Sequence, residues 1–380
     1  MIFYCLLFVM LSLLCLAGLI FSSSLAVDIF VRLLSRINRK QLLSHKWDTQ
    51  EQWIQKVTEA SAKMVQERPT VRVFDGQWGI LYALFRHQYS SAVVSRWQYA
   101  PLIASVGNDD DCLNNIKIKE IDDGFGLYFG WRFKSIPTDV IKNLADSFLN
   151  LVKSRTSDKD LICYRHGDMR NMFFVDSIPF MCPCLIRYGV SFKNREIIGL
   201  AIRQIKFYYN VGYLSSGGLY AHACDMKKGK SYGFFGWGRG TGWWCLGILF
   251  SYLECPEGAD KTWLKGLLDE TAKNIVNLQC DDGGWGTNLV LTYPYDSTVT
   301  AIFVYFLMQV DKVEQTQIYT DVIQRGIEKL MSATRPDGRI DFCEADCHGL
   351  GKYSTLYSIS PFGQGIAQMI VNELNPTHKN

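Results

Sequence analysis

The chain has 380 residues, of which 48% are hydrophobic, 20% charged and 13% aromatic. So few charges with so many aromatics exclude a disordered chain, and a net charge of +3 offers no footprint for nucleic acid. Twelve cysteines are too sparse at this length for a disulfide scaffold.

Residues 1–27 carry no charged side chain, and residues 2–21 are almost purely apolar, about the length of a membrane-spanning helix. The rival reading is a signal peptide. Ser24-Leu25-Ala26 would be a passable cleavage site, but the basic stretch that opens such peptides is missing. Arg32, Arg36, Arg39 and Lys40 follow the apolar run. A basic flank prefers the cytoplasmic side, which leaves the N-terminus outside. We therefore expect residues 1–40 to form an uncleaved single-pass anchor and residues 41–380 one domain, more in keeping with the cytoplasm than with the periplasm or exterior.

From residue 46 onward the pattern is helical. Trp53, Ile54, Val57, Ala60 and Met64 recur every three to four residues. Comparable stretches lie near 78–95, 122–133, 138–154, 172–188, 193–209, 240–254, 261–279, 296–310, 316–333 and 359–374, and there is no alternating strand run. Pro137-Thr138 and Asp296-Ser297-Thr298 are helix-start signals. Stretches such as 172–188, 240–254 and 296–310 are apolar around most of their surface, so they belong inside. Others, such as 138–154, 261–279 and 316–333, keep a charged face for solvent. The two kinds alternate. Glycine turns follow three of the amphipathic stretches, at Ser215-Ser216-Gly217-Gly218, Asp281-Asp282-Gly283-Gly284 and Pro336-Asp337-Gly338. This pattern predicts an all-α toroid of six inner and six outer helices, with loops gathered at one end. A two-domain helical protein is the alternative, but no Pro- or Ser-rich linker divides the chain.

Four runs could carry chemistry. In Trp237-Gly238-Arg239-Gly240-Thr241-Gly242-Trp243-Trp244 the tryptophan faces suit sugar C–H surfaces, and a guanidinium can grip a carboxylate through two parallel bonds. A glycine-rich helix entry with core tryptophans explains the run equally well. His222 sits on a loop after a glycine turn, in Gly218-Leu219-Tyr220-Ala221-His222, and could donate to a substrate oxygen or shuttle a proton. Asp176 stands alone in an apolar stretch, Phe173-Phe174-Val175-Asp176-Ser177-Ile178-Pro179, where burial should raise its pKa toward that of a general acid. It is equally well placed to cap the next helix. Asp122, in Glu120-Ile121-Asp122-Asp123-Gly124-Phe125, also precedes a buried helix. Cys343-x3-Cys347-His348 and Cys182-x-Cys184 lack the paired spacing of a zinc site, and no phosphate-binding glycine loop follows a strand.

In this order the runs resemble the unsaturated glucuronyl and rhamnogalacturonyl hydrolases, glycoside hydrolase families 88 and 105, across residues 70–375. The tryptophan–glycine run is the most specific part of the resemblance and the Asp122 match the least. The resemblance implies an (α/α)6 barrel, no metal or organic cofactor, and an acidic oligo- or polysaccharide substrate carrying a 4,5-unsaturated uronic acid. It implies hydration of that double bond, with Asp176 as acid and base and Asp122 orienting it or touching the ring. His222, Trp237, Arg239 and Trp243 would line the pocket, Arg239 being placed to meet the uronate carboxylate. Two departures stand out. The loop Ala223-Cys224-Asp225-Met226-Lys227-Lys228-Gly229 lacks an expected aromatic, and an N-terminal anchor is unusual for a scavenging hydrolase. They leave a second expectation open: a membrane-tethered glycan-binding or processing factor beside polysaccharide assembly machinery, with a degenerate site.

Overall fold

A computed structural model of the chain describes residues 10, 12–13, 46–66, 96–107, 117–133, 138–165, 169–291, 294–345, 347, 350–351, 353–354 and 357–375. Eleven helices lie among the described residues: α1 (Gln50–Gln66), α2 (Arg96–Val106), α3 (Asp123–Phe133), α4 (Thr138–Arg155), α5 (Ser177–Ser191), α6 (Arg195–Gly212), α7 (Gly238–Glu254), α8 (Ala259–Val276), α9 (Ser297–Glu314), α10 (Thr320–Ser332) and α11 (Pro361–Leu374). Six of them form a closed ring. Helix α2 packs on α3, α3 on α5, α5 on α7, α7 on α9, α9 on α11, and α11 returns to α2. The others lie outside it: α1 on α11, α4 on α3, α6 on α5, α8 on α7 and α9, and α10 on α9. Six inner and five outer helices among the described residues fit the (α/α)6 toroid that the alternation predicts, one outer helix short of its twelve.

The two kinds of helix differ as their sequences dictate. Helix α7 buries its whole stretch from Gly238 to Ser251, whereas α10 buries only Gly326, Ile327 and Leu330. Each glycine turn docks on the next outer helix around the ring. At Gly283 (φ +85°) a Cβ would stand 2.5 Å from the Arg325 carbonyl oxygen on α10, and at Gly338 (φ +86°) 1.9 Å from that of Lys56 on α1. Only glycine reaches this backbone conformation and this closeness without strain. The last turn therefore closes the circle onto the first described helix. There the Trp53 indole N–H donates to Thr334 Oγ1 (2.9 Å) and Gln364 Nε2 to Ser61 Oγ (3.0 Å).

Three expectations need correction or lie elsewhere. Short strands are present, as β1 (Met172–Phe174), β2 (Tyr213–Leu214), β3 (Leu219–Tyr220), β4 (Ala223–Asp225), β5 (Lys230–Tyr232), β6 (Cys343–Glu344) and β7 (Tyr357–Ser358). They make one antiparallel sheet in the order β1-β4-β5 and two hairpin pairs, β2-β3 and β6-β7. Two or three residues are too few to show an alternating pattern, and β1 falls within a stretch expected to be helical. Inner helix α2 was not expected. Pro101 lies inside it and its apolar residues take no one side, so neither periodicity nor propensity marks it. The helix expected near 78–95 lies outside the described residues, as does nearly all of the anchor expected over 1–40. No helix among the described residues is long and apolar enough to cross a membrane.

Candidate active site

The β1–β4 ladder brings Asp176 and His222 together. Phe174 pairs with Ala223, and the Val175 N–H donates to the His222 carbonyl (3.0 Å). Asp176 then turns the chain into α5. It occupies the N-cap position, yet its side chain makes no capping bond, and its Oδ1 is buried without a hydrogen-bond partner. Burial pushes its pKa up to about 6, against the downward pulls of Arg239 and then Arg165. The capping explanation therefore fails for the side chain, and the orphaned oxygen is left for chemistry.

Asp122 is spared a structural task by its neighbour. Asp123 Oδ2 accepts the backbone N–H groups of Lys119 (2.7 Å) and Glu120 (3.0 Å) and so fixes the turn into α3. Burial, and then the charge of Asp123, raise the Asp122 pKa to about 6 as well, while Arg165 pulls it down. Two carboxyls at helix starts thus titrate near 6, above the ordinary carboxylate range.

His222 is 2% exposed. Burial first, and Arg239 second, lower its pKa to about 4, so its ring is neutral at physiological pH. Nδ1 lies 3.0 Å from the Tyr353 hydroxyl, and that oxygen also accepts the Phe234 N–H (3.2 Å). A hydroxyl already accepting from a backbone N–H is free to donate to Nδ1, which leaves the ring proton on Nε2. The His222 ring is flanked by Trp237 (4.5 Å between centroids), Phe174 (5.4 Å) and Tyr353 (5.5 Å).

Trp237 and Arg239 form a wall rather than an open platform. Trp237 Nε1–H donates to Glu344 Oε2 (3.1 Å). Arg239 is 5% exposed, and its two terminal nitrogens donate to the carbonyl oxygens of Glu344 and Ala345, both at 2.8 Å. Asp296, fully buried at the start of α9, holds the same segment through Oδ1, which accepts from Thr298 N (2.8 Å) and Glu344 N (3.1 Å). The resemblance implies that Arg239 meets the uronate carboxylate; here its two terminal nitrogens already donate to the chain. These bonds clamp β6 beside the pocket that Trp97, Arg239, Thr298, Glu344, Ser360 and Phe362 help to line. The glycines of the run are buried rather than exposed. At Gly240 a Cβ would strike the Trp237 ring at 2.7 Å.

Trp243 lies below, 2% exposed. It meets Trp97 (5.4 Å), Phe180 (5.2 Å), Phe125 (6.1 Å) and Phe362 (4.8 Å). These rings come from near the starts of five inner helices and make an aromatic floor across the ring. Sequence reasoning singled out Asp122, Asp176, His222, Trp237, Arg239 and Trp243. It missed Arg165, Tyr353 and Glu344, which no motif marks. Asp296 was visible only as a cap. Among the described residues no group of His, Cys, Asp and Glu could hold a metal ion, and Cys182 and Cys184 are free buried thiols whose pKa burial pushes up.

The family model of Glycosyl Hydrolase Family 88 matches residues 88–377. The chain belongs to this family. As a family 88 glycoside hydrolase it has solved structures of similar fold. A possible member of family 105 from Salmonella enterica serovar Paratyphi A is 14% identical, with 86% of this chain and 83% of that one covered at a TM-score of 0.62. The unsaturated glucuronyl hydrolase of Bacillus sp. GL1, responsible for glycosaminoglycan degradation, is 14% identical, with 75% and 87% covered at 0.60. A family 88 glycosyl hydrolase from Bacteroides vulgatus is 18% identical, with 92% and 98% covered at 0.55. Among curated proteins, none matches this chain by sequence.

Proposed function

We propose that this glycoside hydrolase removes a 4,5-unsaturated uronic acid from the non-reducing end of an acidic oligo- or polysaccharide by hydrating the double bond. The observation that carries the reading is the Asp176 carboxyl, with Oδ1 buried, unbonded and not used as a cap. Protonated, it delivers its proton to C4 of the enol ether, and positive charge develops at C5 and the ring oxygen. The resulting carboxylate then takes a proton from water as the water oxygen bonds to C5. The hemiketal so formed opens, and the aglycone sugar leaves. One group serving both transfers works best with a pKa near the working pH, and a value of about 6 suits that demand. Asp122, by the resemblance, orients the acid or touches the sugar ring. Neutral His222 offers Nε2–H to a sugar oxygen, held by Tyr353.

Residues 1–40 carry a further part of the proposal, a tether that keeps the barrel at a membrane surface. A glycan-binding factor has no use for an orphaned, proton-holding carboxyl, so enzymatic turnover is the better account of this end of the barrel. The test is loss of the unsaturated uronate's ultraviolet absorbance across a panel of lyase-derived disaccharides. Wild-type protein should bleach at least one of them, and Asp176→Asn none. Binding of acidic glycan with no bleaching by the wild type would overturn the reading.

A further inference from the structure

Arg239 donates to the β6 segment, so a second, exposed arginine is the better candidate to recognise an acidic sugar. The charges that act on Asp176 come from Arg239 and Arg165, and Arg165 also acts on Asp122. Arg165 is exposed and makes no hydrogen bond or ion pair among the described residues. Its guanidinium carbon lies 4.3 Å from the centroid of the Tyr164 ring. That ring packs on Phe174 (6.1 Å) and Phe180 (5.9 Å), the residues two before and four after Asp176. The aromatic floor thus sets where Arg165 stands.

The backbone under Arg165 is held too. Arg155 Nη1 donates to the Tyr164 carbonyl (3.2 Å), and its Nη2 pairs with Glu120 Oε2 (2.8 Å), two residues before Asp122. The Cys163 N–H donates to the Arg155 carbonyl (2.9 Å). The segment leading to Arg165 is thereby fastened both to the end of α4 and to the loop that carries Asp122.

We infer that Arg165 is the substrate-binding residue that receives the uronate carboxylate and so makes the enzyme select acidic over neutral sugars. A guanidinium placed over a tyrosine ring, with no hydrogen bond of its own among the described residues, can offer its N–H edge to a carboxylate through two parallel bonds. Held in this way it loses little freedom on binding. The assignment rests on the proposed substrate class, and it divides labour between the two arginines. The buried one holds the wall, and the exposed one reads the ligand.

The experiment measures binding by the full-length Asp176→Asn protein, so that its outcome does not depend on turnover. The ligands are an unsaturated glucuronyl disaccharide and the same disaccharide as its methyl ester. With Arg165 intact the free acid should bind about 10- to 100-fold more tightly than the ester, the range expected for charge-assisted bonds to a carboxylate. Arg165→Met should erase that ratio, weakening the acid while changing the ester less than about 3-fold. Arg165→Lys, which keeps the charge and loses the fork, should fall between them, and it carries the test if the methionine variant fails to fold. An unchanged acid-to-ester ratio in either variant overturns the assignment, as does an equal loss of both ligands or the absence of binding by either. Bleaching by wild type is scored separately. If acid selectivity depends on Arg165 while wild type bleaches nothing, the hydration reading fails and the Arg165 assignment stands.

Discussion

At the scale of single residues, Asp176 links activity and stability through one proton. Its amide analogue can neither give nor take that proton, so Asp176→Asn should lower turnover by at least ~10²–10⁴-fold. Stability should move the other way. The folded chain raises the carboxyl from 3.8 to about 6, so between those values it keeps a proton that the unfolded chain releases, and stability falls as pH climbs through the window. A neutral amide escapes that loss, whose upper bound is ~3 kcal/mol for a shift of this size. Asp176→Asn should therefore melt above wild type at pH 7.5 and lose the advantage by pH 4. Scanning calorimetry at both values checks it, and equal melting at pH 7.5 would count against a buried, costly carboxyl. Arg239→Lys makes the opposite case. A lysine cannot reach both carbonyls, so bonds to Glu344 and Ala345 are lost in a dry site. We expect a stability loss of about 2–4 kcal/mol by chemical denaturation, with β6 loosened. Asp176 and His222 were legible in the sequence because each stands alone in a distinctive run. The spending of the Arg239 fork was not, because its acceptors are backbone oxygens more than 100 residues away and carbonyls leave no mark on sequence.

Among elements, the inner and outer helices were legible because burial writes itself into the apolar stripe: α7 is apolar on every side, whereas α10 is apolar on one. Helix α2 hid behind Pro101, and the small sheets hid because strand pairing across two residues leaves no period to read. The glycine turns were visible as composition, but their task became clear only when each was seen resting on the neighbouring hairpin. That task can be measured. Gly338→Ala meets both a left-handed backbone and the Lys56 carbonyl, whereas Gly229→Ala meets a left-handed backbone (φ +61°) with nothing within 4 Å. The second should cost about 1 kcal/mol, the penalty for a Cβ in that conformation. The first should cost about 2–4 kcal/mol, because backbone must move as well. Urea unfolding of both variants gives the difference directly. Equal losses would mean that the turn does not bear on α1 and that the ring is closed by other contacts.

At the scale of the whole molecule, the barrel gathers six helix starts at one end, and the charges collected there set how activity depends on pH. In the proposed mechanism Asp176 begins each cycle protonated, so kcat/KM should fall on the alkaline side with a midpoint near 6, while His222, neutral above about 4, adds no limb in that range. A rate that stays flat from pH 5 to 8 would exclude Asp176 as the acid. The proposed tether in the N-terminal segment makes a separate prediction. Residues 2–21 hold about as many apolar residues as a bilayer-spanning helix requires, and insertion of such a helix is effectively irreversible. The basic residues that would mark a signal peptide come after this run instead of before it. Full-length protein should therefore remain with the membrane pellet after a carbonate wash. A variant lacking residues 1–40 should move to the supernatant with its bleaching activity intact, since the described ring closes within residues 46–375 through Trp53, Gln364 and the Gly338 turn. Mass spectrometry of the washed pellet decides between anchor and leader. A chain starting at residue 1 or 2 fits the anchor, whereas a mature chain starting near residue 27 means that the apolar run is cut away and the enzyme works untethered.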